Sequence, residues 1–236
     1  GTGLTKSGLY LNAAYSRSST DGYIRNAFAD VQSAMVVLGW LKEKNSLRLT
    51  WLMGDQMTGI TWEGISPSMY ETDRRYNPAG EYYDEFGNVH YYDNETDNYT
   101  QHHLQLNYTR AFTDALAWST TFNYTRGDGY YENYKAGRAF SKYMFENPVI
   151  EGVEYDEGDF ITREALANDY FVLNSDVRYS SQRLNLTAGV NISRYDGDHI
   201  GSVLWNDVLG DSYDYGSHQW YLNNGLKQEV NSFIRG

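Results

Sequence analysis

The clearest pattern along this chain is an alternation of apolar and polar side chains that recurs in separate short segments. It is most regular in residues 184–194, where leucine, alanine, valine and isoleucine occupy every second position. Asparagine, threonine, glycine and serine fill the positions between them. Successive side chains of a β-strand point to opposite faces of a sheet, so this period of two predicts a strand with one apolar and one polar face.

Seven further segments show the same alternation. It is regular in residues 47–53, 99–111, 116–126 and 170–179, and less regular in residues 9–15, 29–41 and 218–233. The second of these weaker segments is apolar on both faces around Val36, and Asn224 interrupts the apolar positions of the last one. The chain is therefore predicted to be all-β, with about eight strands.

The connections between the predicted strands alternate between short and long. Residues 42–45, 113–115 and 181–183 are short and polar, as tight hairpins require. Residues 18–26, 59–97, 132–168 and 197–217 form long connections. A compact soluble domain seldom contains several long loops, whereas small turns at one end and large loops at the other are typical of outer-membrane barrels. The pattern predicts a segment of an antiparallel up-and-down transmembrane β-barrel with long extracellular loops.

The positions of the charged residues indicate which face would contact lipid. A Lys or Arg on the lipid face costs about 2–4 kcal/mol at mid-bilayer and close to nothing near the headgroups. Arg110, Arg126 and Arg194 share the apolar parity but lie at strand ends, whereas Asp176 and Arg178 lie within a strand on the polar parity. The apolar parity is therefore predicted to face lipid and the polar parity to face the lumen.

Composition excludes several other classes of protein. The 236 residues are 41% hydrophobic, but the roughly 18 successive apolar residues of a transmembrane helix occur nowhere. A barrel strand shows only alternate residues to lipid, which is compatible with the mean hydropathy of -0.65. Without cysteine, neither a disulfide nor a cysteine-ligated metal site can form. A formal net charge of -12 argues against a nucleic-acid partner, since phosphate binding needs clustered Lys and Arg.

Aromatic residues are concentrated in two of the long connections and supply the candidates for ligand binding. These candidates are Tyr82, Tyr83, His90, Tyr91, Tyr92, Tyr130, Tyr131 and Tyr134. Disordered segments are poor in aromatic residues, so these loops are predicted to fold over the barrel. Tyrosine offers a large contact area at a low entropic cost. The side chains either bind a small ligand or pack on one another to fold the loops.

Acidic residues supply the only metal candidates of the sequence. Asp93, Glu95 and Asp97 alternate in one loop, and oxygen ligands at such a spacing could hold Ca²⁺. The glycine and distal glutamate of an EF-hand are missing, so a solvated acidic rim is the alternative. His102 and His103 are neighbours on a predicted strand and face opposite ways, so they cannot share a metal. No other metal site and no organic cofactor is predicted.

Five stretches resemble the barrel of TonB-dependent outer-membrane receptors. They are residues 19–23, 75–80, 91–99, 124–132 and 194–199, and the resemblance runs from about Ser16 to Phe233. Receptors of this family have a barrel of about 22 strands whose lumen holds a plug. The resemblance implies that residues 1–236 are part of a single β-barrel domain. It also implies that the plug domain and the remaining strands lie outside this chain.

The resemblance further implies a function, namely energy-coupled uptake of a scarce nutrient across a bacterial outer membrane, with an iron–siderophore complex as the first expectation. The implied partners are outer-membrane lipid, the receptor's own plug, the TonB energy-coupling complex and a small nutrient ligand. The polar lumen residues expected to contact the plug are His103, Gln105, Asn107, Asp176 and Arg178.

Two other functions stay open. An outer-membrane barrel enzyme would need a converging set of catalytic groups near the outer rim, for which His90, His199 and His218 are the candidates. The sequence contains no G-x-S-x-G, H-E-x-x-H, P-loop or G-x-G-x-x-G motif, and no enzymatic activity is expected. A soluble β-rich glycan-binding module would stay monodisperse without detergent. A barrel segment with bare strand edges would instead self-associate.

Overall fold

The computed structural model describes residues 1–216 and 218–236, so Ser217, the last residue of the predicted 197–217 loop, lies outside the described residues. The strands in chain order are β1 (Leu9–Thr20), β2 (Ala29–Lys42), β3 (Asn45–Gly59), β4 (Glu81–Tyr83), β5 (Val89–Tyr91), β6 (Thr96–Ala111), β7 (Leu116–Ala139), β8 (Val149–Ile150), β9 (Val153–Glu154), β10 (Glu157–Ser180), β11 (Asn185–Asn206) and β12 (Gln219–Arg235).

Eight of these strands form one antiparallel sheet in which each long strand pairs with the next long strand along the chain. Their order is β1-β2-β3-β6-β7-β10-β11-β12. The short strands form two separate hairpins, β4–β5 and β8–β9, within the long connections. The predicted fold class, an all-β antiparallel up-and-down sheet of about eight strands with long loops at one end, is confirmed.

Helical structure is confined to the long connections. Helix α1 (Pro67–Thr72) begins where the Ser66 hydroxyl accepts a hydrogen bond from the Met69 amide at 3.2 Å, with proline in the first turn. A single 3-10 turn follows β7 at Phe140–Tyr143. None of the helices in the described part of the chain is long and apolar enough to cross a membrane.

The strands extend further than the alternation predicted, so several loop boundaries were wrong. β7 and β10 cover much of the predicted 132–168 loop and leave only residues 140–156 between them. β11 continues to Asn206 into the predicted 197–217 loop, and residues 21–28 replace the predicted 18–26 loop. Here polar, aromatic and aliphatic side chains are mixed on both faces of the strands, so the regular alternation disappears from the sequence while the backbone ladder continues.

Strand register aligns the apolar side chains of the long strands into one continuous band on one face of the sheet. Leu106 pairs with Leu49 on one side and Phe122 on the other, and Leu173 pairs with Phe122 and Ile192. On β7 the band runs from Leu116 to Tyr124, a length of about 27 Å along the strand. At a strand tilt of about 35–45° this gives a height of about 20 Å, near the roughly 25 Å of outer-membrane barrels.

No described residue covers this apolar band. Leu106 is 40% exposed and Ile192 is 43% exposed, although both lie in the middle of long strands. The fully buried hydrophobic side chains of the described residues lie elsewhere, at the loop end of the sheet: Ile60, Ala79, Phe140, Tyr143, Phe160 and Val203. A soluble β-sandwich would cover the band with a second sheet, and residues 1–216 and 218–236 form none.

Charged side chains border the band on the side of the long loops. Arg126 lies 2.7 Å from Asp128 and 2.7 Å from Asp169, on the same face as the band. Asn224, which interrupts the pattern of the last strand, lies in this border and not in the band. Its Nδ2 donates to Asp196 at 2.9 Å and to Asp198 at 2.8 Å. The interruption therefore marks the edge of the apolar surface.

The opposite face of the sheet is polar and carries flat tyrosine rings. The ring of Tyr99 lies across Gly127 and Gly129 of the neighbouring strand. A Cβ on Gly127 would come within 2.3 Å of the Tyr99 hydroxyl oxygen, and a Cβ on Gly129 within 2.5 Å of the ring. These two glycines therefore give the ring room to lie against the wall of the sheet, as aromatic residues do over strand glycines.

Replacing Gly129 with alanine is expected to destabilise the sheet. The added Cβ would lie 2.5 Å from the Tyr99 ring and 2.6 Å from the Asn98 carbonyl oxygen, which is backbone and cannot move aside. Such overpacking costs about 1–3 kcal/mol in the free energy of unfolding, measured by urea denaturation.

The matched control for this substitution is Gly54→Ala on the same face of β3. A Cβ at Gly54 meets nothing within 4 Å, so this substitution is expected to leave stability unchanged or to raise it by about 0.4–1 kcal/mol. Equal losses from the two substitutions would contradict the position of the Tyr99 ring.

Candidate ligand-binding surface

A hairpin at the loop end of the sheet carries most of the predicted ligand-binding residues. Its turn is organised by Asp84, whose carboxylate accepts from the Phe86 amide at 2.9 Å, the Asn88 amide at 2.8 Å and the Asn88 side chain at 2.8 Å. His90 Nε2 lies 3.0 Å from the same carboxylate. The hydrogen bonds from Asn88, and then the one with His90, hold the pKa of Asp84 well below its usual range.

Stacking places this hairpin against the extended part of β7. The ring of Tyr82 stacks on His90 at 5.4 Å and on Tyr134 at 4.6 Å between centroids. The Arg25 guanidinium lies 3.9 Å from the centre of the Tyr91 ring. Tyr83 is 61% exposed. The structure therefore uses Tyr82, Tyr91 and Tyr134 largely to fold the loop and leaves Tyr83 open to solvent.

The buried carboxylate of Glu132 joins the hairpin to the sheet. Glu132 is 2% exposed. It accepts hydrogen bonds from the Tyr92 hydroxyl, from Asn94 Nδ2 at 2.6 Å and from Arg163 Nη2 at 2.6 Å. Burial, and then the contact with Glu132, raises the pKa of Tyr92, so its phenol stays a neutral donor. The Arg163 guanidinium also lies 4.1 Å from the centre of the Tyr130 ring.

The three calcium candidates, Asp93, Glu95 and Asp97, lie in different surroundings. Asp93 is exposed, whereas Glu95 is 1% exposed. The Glu95 carboxylate accepts from Asn133 Nδ2 at 2.6 Å and from the Tyr134 amide at 2.8 Å, and burial raises its pKa. Asp97 pairs with Tyr131 across the ladder. Within the described residues, no group of three or more His, Asp or Glu side chains is arranged to hold a metal ion. Calcium binding stays a prediction without geometric support.

The five predicted lumen residues share the polar face of the sheet. Hydrogen bonds connect some of them to polar neighbours: His103 Nδ1 lies 2.9 Å from the Thr125 hydroxyl, and the Thr121 hydroxyl donates to Asn107 at 3.0 Å. Gln105 occupies the position between His103 and Asn107 on this face. On β10, Arg178 Nε donates to Asp176 at 2.7 Å. The predicted grouping of these residues is observed, and their contact with a plug stays a prediction.

The histidines proposed for an enzymatic reading have separate surroundings. His90 lies in the hairpin turn beside Asp84. The His218 ring stacks on Phe145 at 3.6 Å, and its Nε2 lies 2.6 Å from the Tyr143 carbonyl oxygen. His199 lies within β11. Each histidine therefore belongs to a different local cluster.

The sequence analysis missed a second group of side chains on the polar face, above the apolar band. An open depression of about 160 Å³ is lined there by Tyr99, Tyr131, Glu164, His199 and Tyr221, among others. We call this group the inner-face site. The sequence pattern placed Glu164 and His199 in loops, so it could not predict which face of a strand their side chains occupy. The concentration of tyrosines was the one sequence signal for this site, and it led to the prediction of Tyr131 as a ligand-binding residue.

The comparisons with known proteins find similarity among solved structures. No family model matches the sequence, and no curated protein matches it. Among solved structures, the chain is similar to the ferric-catecholate import receptor Fiu from E. coli K12, in a crystal structure of its open form. The sequences are 10% identical and the TM-score is 0.43. The similarity covers 98% of this chain and 47% of that chain, so the present chain spans about half its length.

Replacing Glu132 with glutamine is expected to loosen the hairpin. The amide cannot accept from Tyr92, Asn94 and Arg163 together, and leaving such buried groups unsatisfied costs about 1–3 kcal/mol. The measurement is hydrogen exchange of the amides in residues 81–94, which should become faster.

Asp128→Asn is the matched control, since it makes the same charge change on the same face of β7 at an exposed pair with Arg126. It is expected to change exchange in residues 81–94 little, because exposed ion pairs contribute about 0–1 kcal/mol. Unchanged exchange in the Glu132→Gln variant would show that Glu132 does not hold the hairpin.

Proposed function

We propose that this chain forms part of the barrel wall of an outer-membrane receptor that takes up a scarce nutrient, with an iron chelate as the cargo. The observation that carries this proposal is the continuous apolar band, which no described residue covers and which charged side chains border on the loop side. The acyl chains of a bacterial outer membrane would solvate such a band.

The two ends of the sheet support an orientation in the membrane. The connections 43–44, 112–115 and 181–184 at one end are short turns, while the connections at the other end are long and folded. In outer-membrane barrels the short turns face the periplasm and the long loops face outward. The aromatic hairpin and the inner-face site would then face the medium, where a nutrient is captured.

The polar face of the sheet supports the proposal that this side of the wall lines the lumen of the receptor. His103, Gln105 and Asn107 would contact a plug in this lumen, and a TonB complex would supply the pull that rearranges the plug. The outer edges of β1 and β12 are unpaired by any other strand of the described residues. Further strands pairing with these edges would close the wall, since a free edge invites association.

The first test of the proposal concerns the lipid face. Leu106 lies in the band and Gln105 lies beside it on the polar face. Leu106→Arg is expected to lower the unfolding free energy by about 2–4 kcal/mol in phospholipid bilayers, because the arginine would face acyl chains at mid-depth. Gln105→Arg places the same residue one position away on the opposite face and is expected to cost much less. Equal costs in urea titrations would contradict a lipid-facing band.

The second test concerns uptake. A strain lacking the gene is expected to grow slowly when chelated iron is its sole iron source, and to recover when the gene is restored. Growth on free iron serves as the control. Normal growth and normal uptake of radioactive iron on every chelate tried would count against the receptor proposal.

A further inference from the structure

The inner-face site is a depression formed by five neighbouring strands above the apolar band. Tyr131 of β7 pairs with Asp97 of β6 and with Glu164 of β10, and all three side chains share the polar face. His199 of β11 and Tyr221 of β12 complete the lining. The site therefore lies on rigid strands and not on a loop.

The carboxylate of Glu164 lies at the centre of this site, and the donor that binds it among the described residues is a neutral phenol. The Tyr221 hydroxyl donates to Glu164 Oε2 at 3.1 Å, and Tyr131 is the ladder partner of Glu164 on the neighbouring strand. Burial is the main cause that raises the pKa of Tyr131, and the neighbouring Glu164 raises it further. Burial and the negative charge of Glu164 raise the pKa of Tyr221 to about 12. Both phenols therefore stay protonated and are neutral neighbours of the carboxylate.

Asp97 adds a second carboxylate without a compensating group. Burial raises the pKa of Asp97, and no hydrogen bond to its side chain occurs among the described residues. Of the ion pairs in residues 1–216 and 218–236, none includes Asp97 or Glu164. The two carboxylates thus give the site a negative potential that the protein itself does not offset.

Three basic residues on the strands that form the site, Arg163, Lys135 and Lys227, are paired with other carboxylates. Arg163 precedes Glu164 in β10, points to the opposite face and binds Glu132. Lys135 lies 4.0 Å from Glu63, and Lys227, lower on the polar face, lies 2.9 Å from Glu229. A ligand entering the site would therefore meet carboxylates, aromatic rings and the imidazole of His199.

Aromatic surfaces surround the carboxylates. The Trp62 ring meets the Tyr131 ring edge-on at 5.6 Å between centroids and is 58% exposed. The Tyr99 ring lies flat against Gly127 and Gly129. Aromatic faces beside carboxylates attract organic cations, because ring quadrupole and carboxylate charge act in the same direction.

We propose that the inner-face site selects a positively charged ligand, namely an iron chelate that bears an ammonium group, and discriminates against anionic chelates. This inference rests on the proposed receptor function and adds the charge class of its cargo. Repulsion from Asp97 and Glu164 would reject a negatively charged chelate, and the same groups would bind the ammonium. The net charge of -12 would also steer cations toward the protein.

The test compares chelates that differ in charge and little else. The probes are a ferric trihydroxamate with a free amine, the same chelate with its amine acetylated, and a ferric tris-catecholate. Binding to the detergent-solubilised protein is followed by quenching of tryptophan fluorescence, since Trp62 borders the site. The amine-bearing chelate is expected to bind roughly tenfold more tightly than its acetylated form. The anionic catecholate is expected to bind most weakly.

Variants assign the preference to the site. Glu164→Gln and, separately, Asp97→Asn are expected to reduce the preference for the free amine while leaving affinity for the acetylated chelate unchanged, which also shows that each variant is folded. Asp128→Asn removes the same charge from the opposite face of the sheet. This control is expected to keep the full preference.

The possible results separate this inference from the receptor proposal. Equal binding of the free and acetylated amines, tighter binding of the catecholate, or an unchanged preference in Glu164→Gln would each overturn the charge assignment and leave the receptor function standing. Failure of all three chelates to bind would overturn both.

Discussion

The backbone ladder between neighbouring strands holds this protein together, because no packed core covers the apolar band in residues 1–216 and 218–236. The paired register of β7 and β10 runs from Leu116 to Ala139 with a single shift, near Phe160. In the hydrocarbon region of a bilayer, every backbone N–H and C=O group must form its hydrogen bond within the protein. A continuous ladder between strands provides these hydrogen bonds. A slip of one residue would exchange the apolar and polar faces of a strand, so the apolar band and the ladder fix one another's register.

The same ladder passes through three chemical environments. Within the band it carries aliphatic and aromatic residues on one face, at the border it carries ion pairs such as that of Arg126 with Asp169, and beyond the border it carries the loops. The buried core formed by Phe140, Tyr143 and Phe160 lies in this last region, where water is present and burial is favourable. The long strands thus hold the loops in position, and the loops pack around a buried hydrophobic core of their own.

The sequence predicted the strands wherever one face carries the apolar band and failed where that pattern ends. The Asp84 turn could also be predicted, because Gly87 and Asn88 are turn-forming types. Beyond the border, parity is invisible in the sequence, so Glu164 and His199 were assigned to loops although both lie in strands. Glu132 gave no signal either, since its role depends on Arg163 and Tyr92, which only the folded chain brings to it.

Successive side chains of a strand point to opposite faces, and this geometry, which the sequence pattern does not show at the inner-face site, also accounts for the charge of the site. Arg163 and Glu164 are neighbours in β10 and would neutralise each other in a flexible loop. In a strand they point to opposite faces, so the guanidinium binds Glu132 beneath the hairpin and the carboxylate remains among tyrosines. The ladder therefore directs the Arg163 guanidinium to the face on which it binds Glu132 and leaves the Glu164 carboxylate on the polar face of the sheet. Uncompensated acidity at that site follows from the strand geometry itself.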